Sequence, residues 1–208
     1  MTSTAAVRLI LASASPSRGQ LLRQAGIAFE RRTSEVDEDA LQASLIDAGP
    51  ADIALALARA KAEAVAKSDA DWATGTVVLG CDSLLELDDR VHGKPHTAAE
   101  ATRRWRQQRG RTATLVTGHW LIDTGSRRAV GRAVGTRVTF ADATDAEIAD
   151  YIASGEPLGV AGAFTLEGRA GPLIERIEGD PSNVIGLSLP GLRTLLRELG
   201  YALADVAA

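Results

Sequence analysis

The chain of 208 residues is long enough for one sizeable domain or for two lobes that share a core. A composition of 45% hydrophobic and 24% charged residues is ordinary for a globular protein and argues against a disordered chain. The formal net charge of -4 argues against bulk nucleic acid as a partner, but it leaves room for a locally positive cleft that binds a small anion.

The single cysteine and the distribution of apolar residues indicate in which cellular compartment the protein is expected. Cys81 cannot form an internal disulfide, which fits a reducing environment. No apolar run approaches the length that spans a membrane, and residues 1–8 lack the basic region and apolar core of a signal peptide. We therefore expect a cytoplasmic protein with no membrane partner.

The first predicted elements are a strand, a loop and a helix. Residues 7–12 form an apolar run that is typical of a buried strand, and a loop of small residues begins at Ser13. Apolar residues at helical spacing follow, and Gly26 is a suitable helix stop. In this order, the loop amides and the helix N-terminus point at one place, which favours anion binding.

The rest of the chain alternates between predicted helices and strands. We first expect a helix from Pro50 to about Asp69, a strand from Thr76 to Gly80 that ends near Asp82, and a hairpin over 84–92. A helix then follows the capping-box sequence at Thr97 and reaches about Arg109, and two antiparallel strands cover 113–123 and 129–140. The last two helices run from the capping box at Thr144 to about Ser154 and over 190–199, where Gly200 closes the helix. Hairpins among interleaved helices predict an α/β fold with a mixed sheet and flanking helices.

The loop after the first strand contains candidate phosphate ligands. Ser13, Ser15 and Arg18 combine hydroxyls and a guanidinium with the amides of a helix start. An ordinary capped turn produces the same local pattern. The loop is not a Walker loop, because Gly-Lys-Ser/Thr occurs nowhere in the chain.

Acidic residues supply candidates for metal binding and water activation. Asp82 is placed to hold Mg²⁺ or to orient a water molecule, and a turn-forming role is the alternative. The acidic run that includes Glu35, Asp37, Glu38 and Asp39 is typical of a solvated face, but one member near Asp82 would complete a metal site.

Two lysines and one aromatic residue are further candidates. Lys61 lies on the alanine-rich helix, where solvated lysines are common, and Lys94 lies in a Gly-Lys-Pro loop, from which it can reach a phosphate or remain exposed. Small residues around Phe164 would let a flat base approach the backbone, with the ring lining its pocket. Cys81 is interpreted as a buried packing residue and His119 as a packing or edge-surface residue, and no zinc site is expected.

Seven segments in order and at matching spacing resemble the Maf family, over about residues 9–199. They are 11–18 (LASASPSR), 34–38 (SEVDE), 57–62 (LARAKA), 80–83 (GCDS), 93–95 (GKP), 156–157 with 161–162 (EP and AG), and 179–187 (GDPSNVIGL). The resemblance implies a single domain of two lobes around a central cleft, akin to inosine triphosphatases. It also implies house-cleaning hydrolysis of nucleoside triphosphates to the monophosphate and pyrophosphate.

The resemblance also assigns roles to residues. Asp82 matches the catalytic acid that activates water, and other positions match the phosphate and metal constellation: Ser13, Arg18, Glu35, Lys61 and Lys94. With Asp82, Glu35 would bind a divalent metal, expected to be Mg²⁺, with Mn²⁺ or Co²⁺ as alternatives. Such chemistry needs an activated water and cations that offset the phosphate charge. Family members are often dimers, so the resemblance allows a homodimer.

Three positions bear on the base, and they depart from the pyrimidine-selective branch of the family. That branch usually has a second arginine, a threonine and a glutamine where this chain has Ser17, Ser83 and Glu167. Glu167 instead matches the branch that hydrolyses 7-methyl-GTP. A carboxylate accepts from both donors on the Watson–Crick edge of guanine and favours a cationic purine, whereas an amide suits uracil or thymine.

Two other functions remain open from the sequence. A nucleotide-binding regulator of septum formation would bind the same ligand without turnover, although a simple binder has no need of Asp82 with Lys61 and Lys94. A sugar-nucleotide transferase would need a second substrate, and no acceptor motif is recognisable.

Overall fold

The computed structural model describes residues 7–69 and 72–207. Within them, the strands are β1 (Arg8–Ala12), β2 (Glu30–Arg32), β3 (Thr76–Leu87), β4 (Arg90–His92), β5 (Thr112–Asp123), β6 (Ala129–Phe140) and β7 (Ile174–Glu178). The α-helices are α1 (Pro16–Gln24), α2 (Glu38–Ser44), α3 (Pro50–Lys67), α4 (Ala98–Gln108), α5 (Asp145–Ala153), α6 (Pro181–Ile185) and α7 (Leu189–Leu199). Short 3₁₀ turns cover Glu156–Gly159, Ala161–Ala163, Gly171–Leu173 and Leu203–Val206.

The strands form one mixed sheet in the order β2-β1-β3-β5-β6-β7, with β4 paired to β3. β1 is parallel to both β2 and β3, whereas the β3–β4 and β6–β7 pairs are antiparallel. The predicted α/β class with a mixed sheet and flanking helices is therefore confirmed. None of the described helices is both long and apolar enough to cross a membrane.

The chain divides into two compact units. The first contains the residues up to Asp82, Thr117–Val134 and those from Gly186 onward, and the second contains Ser83–Val116 and Gly135–Ile185. Strands β3, β5 and β6 therefore each contribute one part to each unit. The predicted arrangement of two lobes around a cleft stays a prediction.

In the first unit, α3 lies very close to the sheet because two strand glycines have no side chain. A Cβ on Gly80 of β3 would lie 2.0 Å from the carbonyl oxygen of Ala58, and one on Gly118 of β5 would lie 2.2 Å from that of Ala54. The helix presents alanines there, and both Ala54 and Ala58 are fully buried. Small residues on both sides thus set a short distance between helix and sheet.

The second unit has a core built around aromatic rings. The indole of Trp105 on α4 packs edge-on against Phe140 and Tyr151, at centroid distances of 5.5 and 5.3 Å, and its Nε1 donates to the carbonyl oxygen of Ala163. Phe140 in turn packs edge-on against Phe164 at 5.1 Å. Edge-to-face pairs at these distances are favourable beyond the area that they bury.

Most predicted elements are confirmed, and their ends have the expected chemistry. Helix α1 ends before Gly26, which has φ +66°, and α7 ends at Gly200, with φ +97°. Thr144 and Glu147 form both bonds of the predicted capping box at α5. The hairpin between β3 and β4 turns through Asp88 and Asp89, whose positive φ angles suit a tight two-residue turn.

Other element predictions need correction. Strand β3 does not end near Asp82 but continues to Leu87, because Asp82 is buried and paired instead of marking a turn. At α4, Thr97 accepts from the Glu100 amide, but the Glu100 carboxylate binds Arg103 and Arg104 and does not return to the cap. The short elements β2, α2, β7 and α6 were not predicted.

We expect Gly80→Ala to destabilise the protein by about 2 kcal/mol, because α3 must move away from β3 to accept the new methyl group. The measurement is the free energy of unfolding in urea. Gly159→Ala is the matched control, since a Cβ there meets nothing within 4 Å, and its effect should stay within about 0.5 kcal/mol. Equal effects of the two substitutions would contradict the close approach of α3.

Candidate active site

The sheet register brings the loop of residues 13–15, here called the serine loop, beside Asp82. In the parallel pair of β1 and β3, Ala12 lies opposite Gly80. The loop that starts at Ser13 therefore leaves the sheet next to the point where β3 passes through Cys81 and Asp82. The ends of parallel strands are where ligands bind in α/β sheets, so this is a suitable place for a site.

The serine loop is both a capped turn and a polar cradle. Ser15 is the N-cap of α1, and its Oγ accepts from the Arg18 amide at 3.5 Å. Ser13 Oγ accepts from the Ser15 amide at 3.2 Å, and the Ser13 side chain is buried. Pro16 occupies the first turn of the helix, where a missing N–H costs nothing. The loop therefore has the geometry of an ordinary capped turn, and this geometry does not exclude anion binding.

Arg18 is a buried guanidinium held by two different atoms. Its Nε donates to the carbonyl oxygen of Gly186 at 2.7 Å, and its Nη1 donates to Ser13 Oγ at 3.0 Å. The residue is only 8% exposed. Because two bonds from different nitrogens fix the guanidinium plane, Arg18 is preorganised and not a freely rotating surface arginine.

Lys61 joins two carboxylates inside the first unit. Its Nζ lies 2.7 Å from Asp82 Oδ1 and 2.8 Å from Glu38 Oε2. Lys61 and Asp82 are both buried, whereas Glu38 is half-exposed. Lys61 is therefore not the solvated surface lysine that its helix composition alone would suggest.

The pKa of Asp82 reflects competing influences. Burial is the largest cause and raises the pKa of this carboxyl above its usual value, while the charges of Lys61 and Arg18 act to lower it. A carboxylate of raised pKa is a better proton acceptor than an exposed one. The neighbouring Cys81 is fully buried, and burial raises the pKa of its thiol to about 11, which agrees with the prediction that it packs and is no nucleophile.

Of the acidic run, the member that shares Lys61 with Asp82 is Glu38, whereas Glu35 was singled out from the sequence. Glu35, the predicted metal ligand, is exposed, and the acidic residue that contacts Lys61 is Glu38. Asp37 caps α2, and this places Glu38 at the first helical position. An aspartate followed by acidic residues is a helix-start signature, and that signal was available in the sequence.

The remaining predicted residues have these surroundings. Ser17 lies half-buried in α1 of the first unit. In the second unit, Ser83 is half-buried, Lys94 and Glu167 are exposed, and Phe164 is buried in the aromatic core. The core position gives Phe164 a packing role. The predicted functional roles of these residues stay predictions.

Within the second unit, a carboxylate closes the loop that carries Glu167. Glu156 accepts a short hydrogen bond from Thr165 Oγ1, and its Oε1 also accepts from the Arg169 amide at 2.9 Å. A Cβ on Gly168 would lie 2.5 Å from Glu156 Oε1, so any larger residue there would have to displace the Glu156 side chain. Glu167 therefore projects from a loop whose two ends are tied to one side chain.

Comparisons with known proteins agree with the resemblance in the sequence. A family model described as Maf-like protein matches residues 8–199. A protein of Streptomyces coelicolor named nucleoside triphosphate pyrophosphatase is 53% identical over 208 residues, which cover 100% of this chain and 98% of the relative. Proteins with the same name from Thermosynechococcus vestitus and Nocardia farcinica are each 51% identical, covering 96% and 99% of this chain and 98% and 97% of their own.

Replacing Lys61 should raise the pKa of Asp82 further, because the closest positive charge is lost from a buried carboxylate. We expect the Asp82 titration midpoint, followed by NMR of ¹³C-labelled aspartate, to be higher in Lys61→Met than in the unmodified protein. Lys67→Met on the same helix is the control, since Lys67 is exposed and pairs with Glu63. An unchanged or lowered midpoint in Lys61→Met would contradict the pairing.

Proposed function

The chain belongs to the Maf-like protein family, and from this premise we propose that it hydrolyses a nucleoside triphosphate to the monophosphate and pyrophosphate. The observation that carries the proposal is the buried Asp82–Lys61 pair beside the serine loop. A buried charge pair is costly to maintain, and perturbed titratable groups concentrate at functional sites.

The serine loop is proposed to bind the phosphates. Helix α1 starts in this loop, so its N-terminal amides and its dipole favour a negative group there. Arg18 adds a guanidinium whose plane is already fixed, which suits recognition of phosphate oxygens. Ser13 and Ser15 orient these donors through their own hydrogen bonds.

Asp82 is proposed to act as the general base. It takes a proton from water, the resulting hydroxide attacks the α-phosphorus, and the bond to the pyrophosphate oxygen breaks. Pyrophosphate departs with the bonding electrons. Lys61 keeps the carboxylate ionised against the effect of burial, so that Asp82 is ready to accept the proton.

The two carboxylates at Lys61 are proposed to hold a divalent metal. Mg²⁺ is commonly held by one or two carboxylates together with substrate phosphates, and Asp82 and Glu38 are two carboxylates at one ammonium. Among the described residues, no group of three or more His, Cys, Asp and Glu side chains is placed to bind a metal, so the phosphates would complete the ligand set. Such an ion would offset charge on the phosphates.

For the base, we propose a purine of the 7-methyl-GTP type in preference to UTP or dTTP. Glu167 is an exposed carboxylate, and a carboxylate accepts from two donors on guanine and attracts a cationic methylated ring. The closed loop that carries Glu167 supports this proposal because a tied loop presents a side chain with little conformational freedom.

Asp82→Asn should lower pyrophosphate release by about 10³-fold, because an amide cannot accept the proton from water. Glu38→Gln should raise the Mg²⁺ concentration for half-maximal rate by about tenfold. Asp39→Asn, on the adjacent exposed position of α2, is the matched control and should leave both quantities unchanged. Retained activity in Asp82→Asn would remove Asp82 from the mechanism.

A panel of UTP, dTTP, CTP, GTP and 7-methyl-GTP tests the base. We expect kcat/KM to be highest for 7-methyl-GTP, and Glu167→Gln to lower that preference over UTP by about tenfold. Glu175→Gln, also exposed and in the same unit, serves as the control. A strong preference for UTP and dTTP would contradict the role of Glu167, whereas ligand-induced stabilisation without any monophosphate product would favour a binding regulator.

A further inference from the structure

We propose that His119 is a positioning residue for Arg18, acting through the backbone turn Gly186–Ser188. The inference rests on the proposed function, in which Arg18 binds the phosphates of the substrate. All the contacts that carry it lie within the first unit. From the sequence, His119 was interpreted as a packing or edge-surface residue, so this role goes beyond the assignments made above.

His119 lies on β5 and is fully buried. Its Nε2 accepts a hydrogen bond from the Ser188 amide at 2.8 Å, and its Nδ1 lies 3.3 Å from the carbonyl oxygen of Arg132 on β6. A carbonyl oxygen only accepts and an amide only donates, so the partners select the neutral ring with its proton on Nδ1. The imidazole is therefore a fixed link between β6 and the turn before α7.

The turn held by His119 has little freedom of its own. Ser188 is the N-cap of α7, with its Oγ accepting from the Gly191 amide at 2.9 Å, and it is 1% exposed. Two residues earlier, Gly186 has φ +116°, a conformation that side-chain-bearing residues rarely adopt. The amide of Ser188 and the carbonyl of Gly186 are thus two ends of one short, constrained segment.

The other end of this segment orients the guanidinium. The Gly186 carbonyl oxygen accepts from Arg18 Nε at 2.7 Å, and Arg18 Nη1 reaches Ser13 in the serine loop. A shift of the turn would move the Arg18–Gly186 bond, which helps to orient the guanidinium plane. His119 therefore acts on the phosphate site without touching it, through Ser188 and Gly186.

Position 119 calls for a side chain that both accepts and donates a hydrogen bond, as the imidazole does. Leucine would fill space but leave the buried Ser188 amide and Arg132 carbonyl without the partner that the ring provides. Glutamine carries an acceptor oxygen and an NH₂ donor group on one side chain, so it can replace both bonds. The comparison of these two substitutions separates hydrogen bonding from mere filling of the core.

A phosphate ligand that binds equally in the ground and transition states affects KM and not kcat. We expect His119→Leu to raise KM for the preferred triphosphate of the panel by about tenfold with kcat within about twofold. His119→Gln should restore KM to within about threefold of the unmodified protein. A purely structural loss would instead lower kcat through the active fraction and leave KM unchanged.

Two further variants complete the experiment. Val65→Ala removes buried volume from the core of the same unit and is the control for destabilisation, expected to leave KM unchanged. Arg18→Ala tests the route: if His119 acts through Arg18, then His119→Leu in the Arg18→Ala background raises KM no further. Additive effects of the two substitutions on KM would overturn the proposal.

Calorimetric titration of pyrophosphate into each protein distinguishes a failure of the His119 role from a failure of the proposed function. Weaker pyrophosphate binding by His119→Leu, restored in His119→Gln, supports the positioning role. If the unmodified protein hydrolyses a triphosphate and binds pyrophosphate but His119→Leu matches it, only the role of His119 fails. If the unmodified protein does neither, the proposed function itself fails.

Discussion

The buried ion pair of Lys61 with Asp82 is the interaction on which the first unit depends. A charge removed from water is tolerated only when a partner replaces the lost hydration, so helix and strand must approach within reach of both side chains. Gly80, on the same strand as Asp82, has no side chain to hold α3 away. Gly80 and the alanines of α3 let the helix and β3 approach closely, and this close approach brings the Lys61 ammonium to the Asp82 carboxylate.

The fold was predictable where its determinants are local. Helix ends marked by Thr144 or Gly200, and the hairpin at Asp88 and Asp89, depend on residues within one turn of each other. Strand β3 was truncated in the prediction because Asp82 interrupts its apolar run, and only a partner 21 positions away on α3 explains why the strand continues. The three-residue β2 carries too short a pattern to recognise, since its position depends on the register with β1.

The site was predictable in part, through the order of its motifs and not through any motif alone. Nothing in the sequence around Lys61 distinguishes it from a solvated lysine. Its burial depends on tertiary contacts with other elements. Within the acidic run, Glu38 was not singled out as the member near Asp82, although the helix start at Asp37 determines which member turns inward. The role proposed for His119 depends on its contact with Ser188, 69 positions away, and no local sequence pattern predicts such a contact.

The burial of Cys81 has a consequence for how the protein tolerates oxidants. The thiolate is the form that reacts with peroxides and alkylating reagents, and a thiol with a pKa of about 11 that is fully buried offers almost none of it. This is the sole cysteine of the chain, and it stands next to Asp82. Strand β3 thus carries its sulfur atom in the form and place that are least reactive toward oxidants, a buried neutral thiol.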